Sequence, residues 1–215
     1  MIRHNNLTLF MFGNIEESMS SGERKNPGGQ RKAIFLDRDG VINKKLPEDQ
    51  YVSRPAEFEL LPEVLEALGI FHNLGFAIVV VTNQRGIARG MMTFDDLDAV
   101  HKFMKTLFKD AGLRIDGLYY CPHDKTDYCY CRKPSPGMIL EAAKDLNIDL
   151  NSSFMVGDSE SDMKAGRNAG VRSVLISPLP DPMGADLVFR SLFAFAEFLQ
   201  DRQPTRKNNL GKRKG

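Results

Sequence analysis

The 215-residue chain is 42% hydrophobic, which is enough to bury a sizeable core and suits one domain better than two. Its 29 basic residues nearly cancel its 28 acidic ones, and a formal charge of +1 excludes a global field that would recruit nucleic acid or an anionic membrane. The three cysteines, Cys121, Cys129 and Cys131, crowd into one short stretch, a pattern that suits a metal site in a reducing cytoplasm better than a disulfide framework.

In chain order, residues 1–30 carry charges and turn formers without a hydrophobic period, and read as a disordered or loosely attached lead. The apolar run 7–12 is too short to span a bilayer and lacks a small-residue cleavage pattern, so neither a signal peptide nor a transmembrane segment is expected. Strand-like runs follow at 33–37, 77–83, 117–121, 153–158, 173–177 and 185–189, and their continuous apolar character suits a sheet buried on both faces. Helices are expected between them. Pro62 suits the first turn of one over 62–74, and Thr93 with Asp96 forms an acidic variant of the capping box. That box precedes a helix whose Leu97, Val100, Met104, Leu107 and Phe108 share a face. Three more helices fall at 137–146, 161–170 and 191–199, and the basic stretch 201–215 reads as a flexible tail.

Strands separated by helices imply right-handed crossovers and therefore an α/β fold, a three-layer Rossmann-like domain with a mainly parallel sheet over residues 31–200. Such sheets bind ligands beyond the carboxyl ends of their strands. Asp37, Thr82, Cys121 and Asp158 each sit at or just after a predicted strand end, so one rim should gather them.

Each rim segment has an ordinary reading as well as a chemical one. Asp37 and Asp39, followed by Gly40, form either a solvated turn or a pair of acids addressing one group. Thr82 and Asn83 either cap a strand or offer a hydroxyl and an N–H to an anion. Arg132 and Lys133 precede a proline that stiffens their loop, and Asp158 and Asp162 are one helical turn apart at a helix start, where acids are common anyway. In combination, the order D-x-D, T-N, K-P and G-D-x-x-x-D, each at a strand-to-loop junction, resembles the haloacid dehalogenase superfamily of phosphohydrolases.

That resemblance implies Asp37 as the nucleophile that forms an aspartyl phosphate and Asp39 as the acid and base for the leaving alcohol and the water. It implies Mg²⁺ held by Asp37, the carbonyl of Asp39 and Asp158, with Asp162 behind them, and phosphate held by Thr82, Asn83 and Lys133. Attack of a carboxylate on a phosphate dianion is repulsive, so cations beside both reactants are a physical requirement.

Cys121, His123, Cys129 and Cys131 form a C-x-H-x5-C-x-C set whose three sulfurs and one nitrogen match a closed, structural, tetrahedral Zn²⁺ site. The neighbouring tyrosines lie in a loop without a basic stripe, which argues against a nucleic-acid module. The spans from Asp39 to Thr82 and from Thr82 to Lys133 leave no room for a separate cap domain.

Within the superfamily the chain is therefore similar to capless, zinc-loop members, the D-glycero-D-manno-heptose 1,7-bisphosphate 7-phosphatases, over roughly residues 32–177. Histidinol-phosphatases share the aspartate pair, the zinc loop and the C-R-K-P run, and a non-catalytic phosphate-binding regulator is a third reading. Arg132 suits a second phosphate, and the stretch 44–49 carries residues beyond the family pattern. Chains of the family begin close to the first strand, which makes Met19 a candidate start. A monomer acting on a small sugar phosphate is expected.

Overall fold

In the computed structural model, which describes residues 29–178 and 182–202, β1 (Ala33–Leu36) is buried along its whole length and occupies the middle of the sheet. Alternation of side chains along a strand sends Ile34 and Leu36 to one face, and Ala33 and Phe35 to the other. Both faces must therefore be covered, which is why the strand shows no polar period.

The remaining strands are β2 (Ala77–Asn83), β3 (Gly117–Cys121), β4 (Phe154–Gly157), β5 (Arg172–Ile176) and β6 (Leu187–Phe189). All six pair in parallel in the order β3-β2-β1-β4-β5-β6. The order reverses between β1 and β4, so the crevice beyond their carboxyl ends is the topological switch point where such sheets bind ligands. Asp37 and Asp158 are the residues that follow these two strands.

Helices α1 (Val64–Asn73), α2 (Phe94–Asp110) and α5 (Leu192–Asp201) cover the first face, where Phe71, Met104 and Phe195 meet Ile34, Ile78 and Val156. Helices α3 (Gly137–Asp145) and α4 (Glu160–Ala169) cover the second, where Met138, Ala142 and Ala165 meet Phe35, Val79 and Met155. The three layers match the expected architecture. Among the described residues no further domain interrupts the chain between β1 and β3, and no helix is long and apolar enough to cross a membrane.

The predicted strands and helices all form, with two local differences. Pro62 stands outside α1, because Glu63 caps the helix in the left-handed conformation at φ 59° and breaks the helical path before it. Leu107 is only partly buried, whereas Leu97, Val100, Met104 and Phe108 are fully covered. The Thr93 and Asp96 box closes as expected: Asp96 N–H donates to Thr93 Oγ1 at 3.1 Å and Thr93 N–H to Asp96 Oδ2 at 2.8 Å. Of the lead expected over residues 1–30 all but 29 and 30 lie outside the described residues, as does the tail expected over 201–215 beyond 202, and Asp201 is still part of α5.

Candidate active site

Asp37 continues the β1 backbone by donating its N–H to Val156 O at 2.9 Å, which sets its side chain beside the end of β4. Lys133 reaches the same point from the loop before α3. Its Nζ lies 2.9 Å from Asp37 Oδ1 and 2.6 Å from Asp162 Oδ1 and donates to Val81 O at 2.8 Å, with the side chain only 2% exposed. Asn83 holds the lysine from behind, accepting the Lys133 N–H at Oδ1 (3.0 Å) and donating Nδ2 to its carbonyl (3.1 Å). The Lys133–Pro134 peptide is cis.

Burial works to lower the Lys133 pKa, but the charges of Asp162 and Asp37 outweigh it and keep the ammonium charged. Burial also pushes Asp37 up to about 7, opposed by Lys133 and reinforced by Asp162, Asp158 and Asp39. A cation is therefore what keeps the candidate nucleophile ionised.

Asp39 sits among donors. Arg38 Nε (3.3 Å) and Nη2 (3.0 Å) and Asn43 Nδ2 (2.9 Å) donate to its Oδ1, and Gln84 Nε2 donates to Oδ2 at 3.1 Å. Burial would raise its pKa, but the Arg38 charge and these bonds prevail and hold it below the ordinary carboxylate value. Gln84 also donates to Thr82 Oγ1 at 2.9 Å, tying the end of β2 to the carboxylate.

Arg38 is fully buried, and its Nη1 meets His101 Nε2 at 3.2 Å. A guanidinium can only donate, so the imidazole accepts there and is neutral. Burial, then the charges of Arg38 and Lys105, lower His101 to about 3.

Arg38, Asn43, Gln84 and His101 were not read as functional from sequence. Arg38 stands inside the D-x-D motif, Gln84 directly follows the T-N pair, and His101 is a polar residue on the apolar face of α2. Those were the available signals.

Asp37, Asp158 and Asp162 each offer a carboxylate oxygen, all within 4.8 Å of one another. Asp162 is fully committed: Oδ1 makes the Lys133 ion pair, without hydrogen-bond alignment, and Oδ2 accepts the Ser159 N–H at 3.1 Å and its hydroxyl. Asp158 is not. Its Oδ2 faces Lys45 Nζ at 2.7 Å, while its Oδ1 is buried with no hydrogen-bond partner. An orphaned buried carboxylate oxygen costs about 1–3 kcal/mol or more. A hard divalent cation is its natural partner, so the residues present fit Mg²⁺. Gly40 makes the close approach possible: at φ +96°, a Cβ there would lie 2.3 Å from Asp158 Oδ2.

At the end of β3, Cys121, His123, Cys129 and Cys131 also converge within 4.8 Å. The three sulfurs lie 3.3–3.5 Å apart, and His123 Nδ1 is 3.2 Å from Cys131 Sγ and 3.5 Å from Cys121 Sγ. Bonds of about 2.3 Å to sulfur and 2.0–2.1 Å to nitrogen give a tetrahedron with edges of about 3.5–3.8 Å, so a slight expansion admits Zn²⁺. The cysteines are free thiols. Arg132 Nη1 donates to His123 O at 3.1 Å, which couples this loop to the residue beside Lys133.

The stretch after β1 crosses the mouth of the site. Lys45 touches Asp158 on one side, and on the other Asp49 Oδ1 accepts from Arg85 Nη2 at 2.9 Å and from Arg89. Arg85 Nε donates to Tyr51 OH at 3.2 Å.

A HAD-hydrolase-like family model matches residues 130–177. The chain is 44% identical over 155 residues to the D-glycero-beta-D-manno-heptose-1,7-bisphosphate 7-phosphatase of Helicobacter pylori, covering 70% of this chain and 88% of that one. It is also 44% identical over 154 residues to the D-glycero-alpha-D-manno-heptose-1,7-bisphosphate 7-phosphatase of Burkholderia mallei, covering 68% and 80%. Among solved structures, the D,D-heptose 1,7-bisphosphate phosphatase of B. bronchiseptica, complexed with magnesium and phosphate, superposes with a TM-score of 0.72 at 35% identity, over 80% of this chain and 99% of that one.

Proposed function

The chain belongs to the D-glycero-D-manno-heptose-1,7-bisphosphate 7-phosphatase family of the haloacid dehalogenase superfamily, and we propose that its residues 31–200 hydrolyse the 7-phosphate of that sugar bisphosphate. The observation that carries the proposal is the meeting of Asp37, Lys133 and Asp158 at the switch point of the sheet. A carboxylate nucleophile, a buried cation and an unsatisfied metal ligand stand there within reach of one phosphoryl group.

In the proposed reaction an Asp37 oxygen forms a bond to phosphorus while the bond from phosphorus to the C7 oxygen breaks, and Asp39 gives that oxygen its proton. Asp39 then takes a proton from water, whose oxygen attacks phosphorus and releases phosphate and Asp37. The free-state Asp39 is the ionised base of the second step; a phosphate dianion arriving beside it favours the protonated acid of the first. Arg38, Asn43 and Gln84 hold it in one orientation for both.

Lys133 neutralises Asp37 and later the transferring phosphoryl oxygens, and Thr82 with the N–H of Asn83 orients the others. Asp37, the carbonyl of Asp39 and Asp158 would hold Mg²⁺, with Asp162 behind, and the ion would supply Lewis-acid charge neutralisation. Cys121, His123, Cys129 and Cys131 would hold a structural Zn²⁺ that fixes the loop bearing Arg132, which we assign to the anomeric phosphate.

The site is complete within one chain, which supports a monomer, and free thiols at a zinc loop support a reducing cytoplasm. One relative named for the β anomer and one named for the α anomer are each 44% identical to this chain. Phosphate release from both anomers of the bisphosphate and from histidinol phosphate, with Mg²⁺ present, tests the proposal. A higher kcat/KM on one heptose anomer is expected, and a preference for histidinol phosphate would overturn it.

A further inference from the structure

The exposed stretch 44–49 delivers one cation into the acidic cluster. Lys45 Nζ lies 2.7 Å from Asp158 Oδ2, with the lysine side chain 55% exposed and that of Asp158 16% exposed. The other cations of the cluster are locked. Lys133 is buried against three oxygens, and Arg38 is buried between Asp39 and His101. Lys45 instead hangs from a solvent-exposed loop by one ion pair at the end of a flexible stem. It also lies close enough to Asp37 and Asp162 to interact with their charges.

Asp158 thus has one oxygen on a removable ammonium and the other buried without a partner. Such a carboxylate is arranged to exchange a monovalent cation for a divalent one. We propose that Lys45 is a tethered competitor of the catalytic divalent cation. It neutralises Asp158 in the metal-free protein, must swing out before Mg²⁺ is held by Asp37 and Asp158, and so sets the Mg²⁺ concentration at which the site fills.

The proposal rests on reading these acids as the metal site, and the test separates the two. Mg²⁺ is titrated calorimetrically into the phosphate-free full chain as wild type, Lys45→Met and Lys44→Met. The last removes the same charge from the neighbouring residue, whose partner Glu59 at 3.3 Å lies outside the cluster. Thermal melts confirm that the variants fold.

Lys45→Met is expected to tighten Mg²⁺ binding about five-fold relative to Lys44→Met, the size of one lost partly exposed ion pair. Lys45→Arg, which keeps the competing charge, should stay near wild type. Equal affinity in Lys45→Met and Lys44→Met, or weaker binding in Lys45→Met than in wild type, overturns the competition while leaving the metal site standing. Absence of Mg²⁺ binding from every variant overturns the metal site and the competition together.

Discussion

Replacing Lys133 by methionine removes the ammonium that bridges Asp37 and Asp162 and leaves both acids, and Val81 O, without that partner. Breaking a buried ion pair by deleting one member costs about 3–5 kcal/mol, and stabilities of single domains run to only about 5–15 kcal/mol. Part of the loss is recovered by protonation. Asp37 already stands at about 7 with Lys133 opposing the rise, so without the lysine it is neutral at pH 7. A carboxyl whose folded pKa is raised contributes stability at low pH and loses it as pH climbs, so the deficit of Lys133→Met should widen from pH 6 to pH 9.

Urea unfolding of wild type, Lys133→Met, Asp162→Asn and the double variant, with magnesium omitted, reads this directly. The single lysine variant should lose about 3 kcal/mol or more at pH 8, and the double variant about 1–3 kcal/mol less than the sum of the singles. A loss below about 1 kcal/mol, or strict additivity, would refute the claim that Lys133 is a buried charge compensated by these acids.

His101 faces Arg38, Lys105 and Asp39, and its folded pKa of about 3 lies below the ordinary 6.5. The unfolded chain therefore binds the extra proton between those values, and stability should fall by about 3 kcal/mol from pH 7 to pH 4, order of magnitude, on this account. His101→Gln should flatten that part of the curve in urea unfolding, and an unchanged slope would contradict it. Gly40→Ala places a Cβ against Asp158 at a positive φ, so calorimetry should show Mg²⁺ binding weakened at least about ten-fold and a lower Tm. Wild-type affinity would show that Asp158 has room to move. Metal analysis should find one Zn²⁺ per chain, and its removal with a strong chelator should lower Tm and then activity, because the loop that carries Arg132 and Lys133 is released. Activity indifferent to complete zinc loss would sink that link.

The strands were legible because burial on both faces leaves runs such as Val79–Val81 without polar interruption. Asp37, Asp158 and the cysteine cluster were legible because strand ends in a parallel sheet must share one rim, and because ligand spacing is a local property of the chain. Arg38 was not, since a charged residue between two site acids gives no sign that it turns inward and becomes one of the largest fully buried side chains. Its partner His101 comes from a helix far away in sequence, and only packing brings them together. The side chain of Asn83 shows the same limit: only the backbone N–H of that residue was given a role from sequence, and nothing local signals that its side chain clamps the backbone of Lys133. The contact of Lys45 with Asp158 spans residues 113 positions apart, and no periodicity encodes it.

Covalent transfer of phosphate to Asp37 is the central step of the proposed reaction. Acid quenching during turnover, borohydride reduction and peptide mass spectrometry convert an aspartyl phosphate into homoserine at the modified position. Homoserine is expected at position 37, and it should be lost in Asp37→Asn together with turnover while the variant keeps its fold. Modification at another residue, or turnover retained by Asp37→Asn, would contradict it.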